Sequence, residues 1–341
     1  RGRGRGRERE RILGAFSNLG RRRLNIAFGV MVSTNTTGTY LDGLVALAHS
    51  IRLTESRHQT SLVAILPPGY TAVHPVMRAL SINMIEHGPV INRSDIQGKY
   101  LRETIEGAGC CGSLELLKLV AYKLIQYDRV LMLDTDALIM RNIDHLFERS
   151  VRLKRSLMYT DDYGMNNPGS AVPPVQGGFL LVAPSLVVYD ALVDVVHKGD
   201  FRPGSGWGGA NIGWCWGGRT IQGLLPYYYK RLAKPAASEA LDHCRYNRME
   251  PSRFNCSRVE AFELSSMHFT LCQKPWLCRS AIPFCRAVVK EWWRVVNSFE
   301  ETIGIPPSQS CLDQPRRLGK LQLAERAVQK LQSLGKATLY D

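Results

Sequence analysis

Apolar residues along this chain fall into runs that alternate in type. Ile26-Ala27-Phe28-Gly29-Val30-Met31-Val32 and Val130-Leu131-Met132-Leu133 are continuous apolar stretches bounded by polar residues, the pattern of strands buried on both faces of a sheet. Between them, Leu114 to Ile125 places Leu and Val at helical spacing, with Lys118 and Lys123 interrupting the apolar stripe, and it ends in Gln126-Tyr127-Asp128, where the chain turns into the second strand. Asn142 to Phe147 opens another short helix with Asn142 as its cap. Val259 to Met267 reads as strand. Gly178 to Val196 is the longest apolar stretch, but Pro184, Asp190 and Asp194 divide it into strand, turn and helix and exclude a membrane span. The sum is an α/β protein, and 341 residues are enough for one elaborated α/β domain.

The second strand ends on Asp134-Thr135-Asp136. Two carboxylates one residue apart at the carboxyl end of a buried strand supply hard oxygen ligands where open α/β sheets place nucleotide sites. A diphosphate-bearing substrate is the first expectation. Further on, His268 and Lys274 stand in His268-Phe-Thr-Leu-Cys-Gln-Lys274-Pro275-Trp276. An imidazole added to two carboxylates shifts the preferred ion from Mg²⁺ toward Mn²⁺, and a lysine beside them suits a phosphate. Taken singly, each is more often structural; together they read as a site.

These residues resemble the glycogenin-like branch of the family-8 retaining glycosyltransferases. The likeness is carried by Lys118 through Phe147, by His268, Lys274, Pro275 and Trp276, by Asn25 to Gly43, and by Gly177-Gly178-Phe179-Leu180. It implies a GT-A fold (a Rossmann-like mixed sheet flanked by helices), a nucleotide-sugar donor that is most often UDP-linked, Mn²⁺ with Mg²⁺ as second choice, and transfer with retention of configuration. It assigns the metal to Asp134, Asp136 and His268, the diphosphate to Lys274, and a place near donor sugar and phosphate to Lys118. Thr36, Thr37 and Tyr40 fall in the uridine loop, Tyr40 stacking on the base; as a plain reading the same Ser/Thr-rich loop is a helix cap.

The departures fall on the sugar side. Ile221 stands where the family has Asp before Gln222-Gly223, and Gln176-Gly177-Gly178 replaces Asn-Ser-Gly. Asp161 or Asp162 matches a further carboxylate near the sugar. With no carboxylate at the nucleophile position, front-face attack is expected, with Gln222 positioning and polarising. Gln222, Lys118 and Asp162 are therefore the expected catalytic residues, and Thr36, Thr37, Tyr40, Lys118, Asp134, Gln176, Gly177 and Lys274 the expected donor contacts. Tyr246 matches a family tripeptide, but the Tyr-rich stretch of self-glucosylating members is missing, so an external carbohydrate or glycoconjugate acceptor is expected.

Gly204 to Gly218 is too rich in glycine for a helix or central strand. Its Trp207, Trp214 and Trp216 either form a stacking platform for an acceptor sugar or pack beneath an irregular loop.

Charge adds one alternative. The net charge is +14, and Arg1 to Arg23 is an Arg/Gly-rich segment too polar to fold alone. A disordered basic tail or stem (1–23), a GT-A domain (24–311) and a basic amphipathic C-terminal helix (312–341, with Arg316 to Lys336 at helical spacing) is the expected organisation. Nucleic-acid or anionic-surface binding through the tail is disfavoured, because no aromatic residues interleave the repeats. A catalytically weak nucleotide-sugar-binding protein is the other alternative.

Nine cysteines are present, and Cys272, Cys278 and Cys285 surround the Lys-Pro-Trp motif at spacings that suit disulfides clamping the loop over the donor. Zinc is disfavoured by the lack of any C-x2-C pair. Asn35, Asn92 and Asn255 begin N-glycosylation sequons; a glycan on Asn35 would obstruct the uridine loop. The cysteines favour the secretory pathway and Golgi lumen, with the cytoplasm as the alternative. An N-terminal membrane anchor lost from this sequence is expected.

Overall fold

The computed structural model describes residues 22–33, 36–233, 237–249, 256–277, 281–308, 310 and 321–340. The Arg/Gly tail up to residue 21, Asn35, Asn255, Cys278 and Cys311 lie outside the described residues.

The chain opens with β1 (Asn25–Met31), α1 (Thr39–Leu53), β2 (Gln59–Leu66), α2 (His74–Ala79), β3 (Ile82–Glu86) and α3 (Lys99–Thr104). A 3-10 helix (Gly112–Lys123) then leads into β4 (Arg129–Leu133), β5 (Ala137–Ile139), α4 (Asp144–Arg152) and β6 (Leu157–Asp161). After β7 (Val175–Val182) and α5 (Leu186–Lys198) come β8 (Phe201–Arg202), β9 (Gly206–Trp207), α6 (Ile221–Tyr227) and β10 (Ser238–Ala240). β11 (Ser266–His268), α7 (Pro283–Ile303) and α8 (Leu323–Leu334) complete it.

Seven strands form one mixed sheet in the order β10-β6-β7-β4-β1-β2-β3. β4, β1, β2 and β3 run parallel, whereas β7 is antiparallel to both β4 and β6. The period-two alternation of the strands divides the core into two layers. Ile26, Phe28 and Val30 of β1, Leu131 and Leu133 of β4, and Phe179 and Leu181 of β7 face one layer, together with α1, α7 and α8. Ala27, Val130, Met132, Leu180 and Val182 face the other, against the 3-10 helix, α5 and α6. Burial on both faces explains why the central strands read as unbroken apolar runs. The mixed α/β sheet flanked by helices that the sequence implied is the architecture of the molecule.

Three local expectations are corrected. Val259 to Met267 is not one strand: Ala261–Glu263 is a helical turn, and only Ser266–His268 is extended, because its partner β5 offers three residues to pair with. Asn142 lies one residue outside the α4 cap position held by Ile143, though its Oδ1 still accepts the Asp144 N–H at 2.9 Å. α1 is capped by Gly38 with no side-chain hydrogen bond, so the Ser/Thr-rich loop is not a capping box; Thr36 Oγ1 instead accepts the Ser33 N–H at 3.1 Å.

The C-terminal helices pack against the first two helices of the chain. α7 packs on α1, and α8 packs on α1 and α2. Asp42 Oδ1, from α1, accepts the Ala324 N–H at the start of α8 (2.9 Å), satisfying a donor that the helix terminus leaves unpaired. Arg326 ties α8 to the buried Glu300 at 2.6 Å.

Candidate active site

The site is assembled where β4 ends. Asp134 follows the last residue of β4, the chain turns through Thr135 and Asp136, and β5 begins at Ala137. β11 pairs antiparallel with β5 so that His268 is opposite Ala137. This pairing, and not proximity in sequence, delivers the imidazole: His268 Nε2 lies 3.3 Å from Asp136 Oδ1 and 3.6 Å from Asp134 Oδ2. One ligand atom from each of the three residues falls within 4.8 Å of the others.

Two lysines face the acidic pair. Lys118 Nζ, fully buried on the 3-10 helix, is 2.8 Å from Asp134 Oδ1 and 2.9 Å from Glu115 Oε2. Lys274 Nζ donates to Phe269 O at 2.8 Å and pairs with Asp136 Oδ2. Burial alone would depress the Lys118 pKa, but the carboxylates of Asp134 and Glu115 outweigh it and hold the ammonium well above the usual lysine range. Burial would likewise raise Asp136, yet His268 and Lys274 reverse the sign and hold its carboxyl below the usual carboxylate range. Burial opposes charge on His268 too, and the neighbouring Asp136 and Asp134 raise its pKa.

The residues fit a divalent cation. Two carboxylates and one imidazole combine hard oxygen donors with a borderline nitrogen donor, a set that suits divalent cations. A cradle is present as well: a Cβ on Gly178 would stand 2.7 Å from His268 Cε1 and 2.9 Å from Asp134 Oδ2. Glycine at that position lets β7 run directly beneath the three groups. His268 Nδ1 is buried with no protein partner, leaving the ring held by packing and by its Nε2 contacts.

These groups line a cleft of about 410 Å³. Thr36, Tyr40, Gln176, Gly177 and Gln222 join them on its walls. Tyr40 is exposed and meets Trp276 edge-on, ring centroids 5.5 Å apart. The Cys272–Cys285 disulfide fastens the loop carrying Lys274 and Trp276 to the first turn of α7, and a second disulfide joins Cys244 to Cys256. Thr37, by contrast, is exposed and lines a neighbouring cavity between α1, α2 and α8. Gln176 turns its Oε1 to the Gly178 N–H and to Asn247 Nδ2, the latter at 3.1 Å.

Gln222 stands in the cleft wall on α6, and its Nε2 donates to Asp162 Oδ2 at 3.3 Å. Asp162 is buried. A carboxylate therefore does accompany Gln222, supplied by the end of β6 and not by the preceding position, where Ile221 is fully buried in the core. Asp161 points elsewhere, accepting from Tyr163 at 3.2 Å. Tyr246 bonds His145 at 2.7 Å.

The three tryptophans divide. Trp207 is fully buried and donates to Gly218 O at 2.7 Å, whereas Trp214 and Trp216 are exposed. Close backbone approach explains the glycines: a Cβ on Gly218 would lie 1.6 Å from Gly213 O, and one on Gly223 2.1 Å from Gly218 O. Trp214 and Trp216 line a second cavity of about 280 Å³ with Tyr100, Phe201, Asn167 and Arg219, and Trp216 also lines the main cleft.

Glu115 and Asn247 were not anticipated. Glu115 sits three residues before Lys118, a spacing at which opposite charges pair on a helix. Asn247 follows the Tyr246 noted above, and it is buried with positive φ (52°), donating to Thr160 Oγ1 at 2.9 Å.

No protein-family model matches the chain. It is 32% identical to galactinol synthase 3 of Arabidopsis thaliana over 113 residues, which is 33% of this chain and 31% of that protein. Among solved structures it resembles the glycosyltransferase GlyE of Streptococcus pneumoniae TIGR4 (TM-score 0.46, 13% identity, covering 85% of this chain and 66% of that one). It also resembles the galactosyltransferase LgtC with donor and acceptor sugar analogs (0.46, 14%, 80% and 95%) and mouse xyloside xylosyltransferase 1 (0.46, 13%, 75% and 99%). At these scores none of them assigns a role to a residue here.

Proposed function

We propose that this chain is a metal-dependent glycosyltransferase of the family-8 type, moving a hexose or related sugar from a nucleotide-diphosphate donor, UDP-linked, to an external acceptor with retention of configuration. The observation that carries this reading is the convergence of Asp134, Asp136 and His268 within 4.8 Å at the carboxyl end of the sheet, flanked by Lys118 and Lys274. The galactinol synthase likeness, though it spans only a third of each chain, points the same way.

When bound, Mn²⁺ would supply Lewis-acid stabilisation to a diphosphate leaving group. The chain's own residues do the rest. Lys274, held at the cleft by Phe269 O and the disulfide-anchored loop, offers its ammonium to a phosphate oxygen. Lys118, kept charged by Glu115 and Asp134, adds a second positive charge where the leaving nucleotide gains negative charge. Thr36 and Tyr40 form the nucleoside end of the cleft. Gln222, oriented by Asp162, positions and polarises the transferred sugar while the acceptor attacks from the face the nucleotide leaves.

In this reading the acceptor rests against Trp214 and Trp216. Exposed indoles offer flat apolar faces to a sugar ring, and Trp216 connects their cavity to the donor cleft. The Cys244–Cys256 and Cys272–Cys285 disulfides support an oxidising compartment such as the Golgi lumen. Among the described residues no helix is long and apolar enough to cross a membrane. Nucleotide release from a panel of UDP- and GDP-sugars in the presence of Mn²⁺ tests this reading; no release with any donor would overturn it.

A further inference from the structure

Cys110 and Cys111 have no part in the chemistry above, yet both line the donor cleft beside Glu115. Cys110 is exposed and Cys111 half-exposed, and neither is in a disulfide. Their sulfur atoms and a Glu115 oxygen all lie within 4.8 Å of one another, with Cys110 Sγ 3.4 Å from Glu115 Oε1. The turn carrying them is fixed on both sides. Gly109 donates to Trp216 O at 2.9 Å, and Gly112 holds a positive φ (57°) with Glu106 O only 2.7 Å from where a Cβ would be. Two thiols and a carboxylate differ in kind from the oxygen-rich set at Asp134, because thiolates select soft or borderline ions.

We propose that Cys110, Cys111 and Glu115 form a second, inhibitory metal site for a soft divalent cation of the zinc class. Zinc–thiolate bonds of about 2.3 Å in tetrahedral geometry set ligand atoms roughly 3.7 Å apart, and the three ligand atoms here lie within 4.8 Å of one another. Binding releases the two thiol protons to solvent and leaves the fourth position open to water. The inhibition follows from Glu115: the carboxylate that ligates the ion is the one whose other oxygen holds Lys118 at 2.9 Å, and Lys118 in turn holds Asp134. An ion on Glu115 competes for that carboxylate and places positive charge beside the lysine. The inhibitory consequence rests on reading the cleft as a donor site; the metal binding does not. The other cysteine-bearing cluster, His243 with Cys244 and Cys256, lacks free thiols because its sulfurs are bonded to each other.

Cadmium titration of the full chain, purified anaerobically without reductant so that both disulfides stay closed, tests the site through the ultraviolet thiolate-to-cadmium band. The wild type and Cys215→Ser are expected to bind one ion per chain with this band, and the Cys110→Ser/Cys111→Ser double variant to lose it. No band in the wild type, or an unchanged band in the double variant, would overturn the proposal. With Mn²⁺ in excess, added Zn²⁺ should slow wild-type donor turnover, and the double variant, scaled to its own uninhibited rate, should respond less. Equal sensitivity would remove the inhibitory role. A wild type that turns over no donor would defeat the reading of the cleft and leave the cadmium titration to decide the site.

Discussion

His268 Nε2 stands 3.3 Å from Asp136 Oδ1 because β11 and β5 pair in a register that sets His268 opposite Ala137. The cluster of Asp134, Asp136 and His268 is thus a product of a three-residue strand pairing just beyond the carboxyl end of β4. Asp136→Asn preserves shape while removing the charge shared by His268 and Lys274. Donor turnover should fall at least about a hundredfold, since even weaker outer-shell changes at metal sites cost tenfold or more. Circular dichroism should show a folded protein. Full activity in this variant would remove Asp136 from the site.

Gly178→Ala probes the same cradle from below. The added methyl would lie under 3 Å from the His268 ring and Asp134 Oδ2, so overpacking should cost about 1–3 kcal/mol of stability. Mn²⁺ affinity should fall further than stability alone accounts for. Chemical denaturation and Mn²⁺ titration on the same preparation distinguish the two effects.

Much of this site was legible in the sequence, for identifiable reasons. The apolar run of β4 stops on Asp134, so the location of the acidic pair followed from pattern alone. His268 and Lys274 were legible because, with Pro275 and Trp276, they match the signature of the family that the chain resembles. What could not be read were properties of tertiary packing. The length of β11 is set by β5, the partner of Lys118 by the winding of its helix, and the fate of Trp207 against Trp214 and Trp216 by how closely glycine backbones approach one another. Asp162 was named from the resemblance as a carboxylate near the sugar, but its bond to Gln222, made from just beyond β6, was not legible. Of the two disulfides among the described residues, the clamp on the Lys-Pro-Trp loop was expected as a kind of bond, while the pairing of Cys244 with Cys256 had no signal in spacing.

Gln222→Ala should lower kcat more than it raises KM for the donor, because the residue lies in the cleft wall with its amide held by Asp162. Asp162→Asn should shift the same parameter by a smaller factor. Steady-state kinetics with a saturating acceptor separate these outcomes; a change confined to KM would move Gln222 from the reacting sugar to donor binding.

Asp42 carries a pH signature unrelated to catalysis. Burial raises its pKa from 3.8 to about 6, against the opposing hydrogen bond from Ala324 N. A carboxyl that binds its proton more tightly in the folded state contributes stability that is fully present below the unfolded pKa near 4 and is lost as pH rises through about 6. Asp42→Asn keeps an oxygen acceptor for α8 and cannot ionise. Its unfolding free energy relative to wild type should therefore improve between pH 4 and pH 7, and a difference that stays constant over that range would contradict the assignment.

The most direct test of the central claim is nucleotide release by the purified chain from a panel of UDP- and GDP-sugars, run with Mn²⁺, after chelation, and after Mn²⁺ is restored. Release from at least one donor, abolished by the chelator, recovered with Mn²⁺ and lost in Asp136→Asn, is the expected result. Release that persists in the chelator, or none from any donor while the wild type binds Mn²⁺, would contradict it.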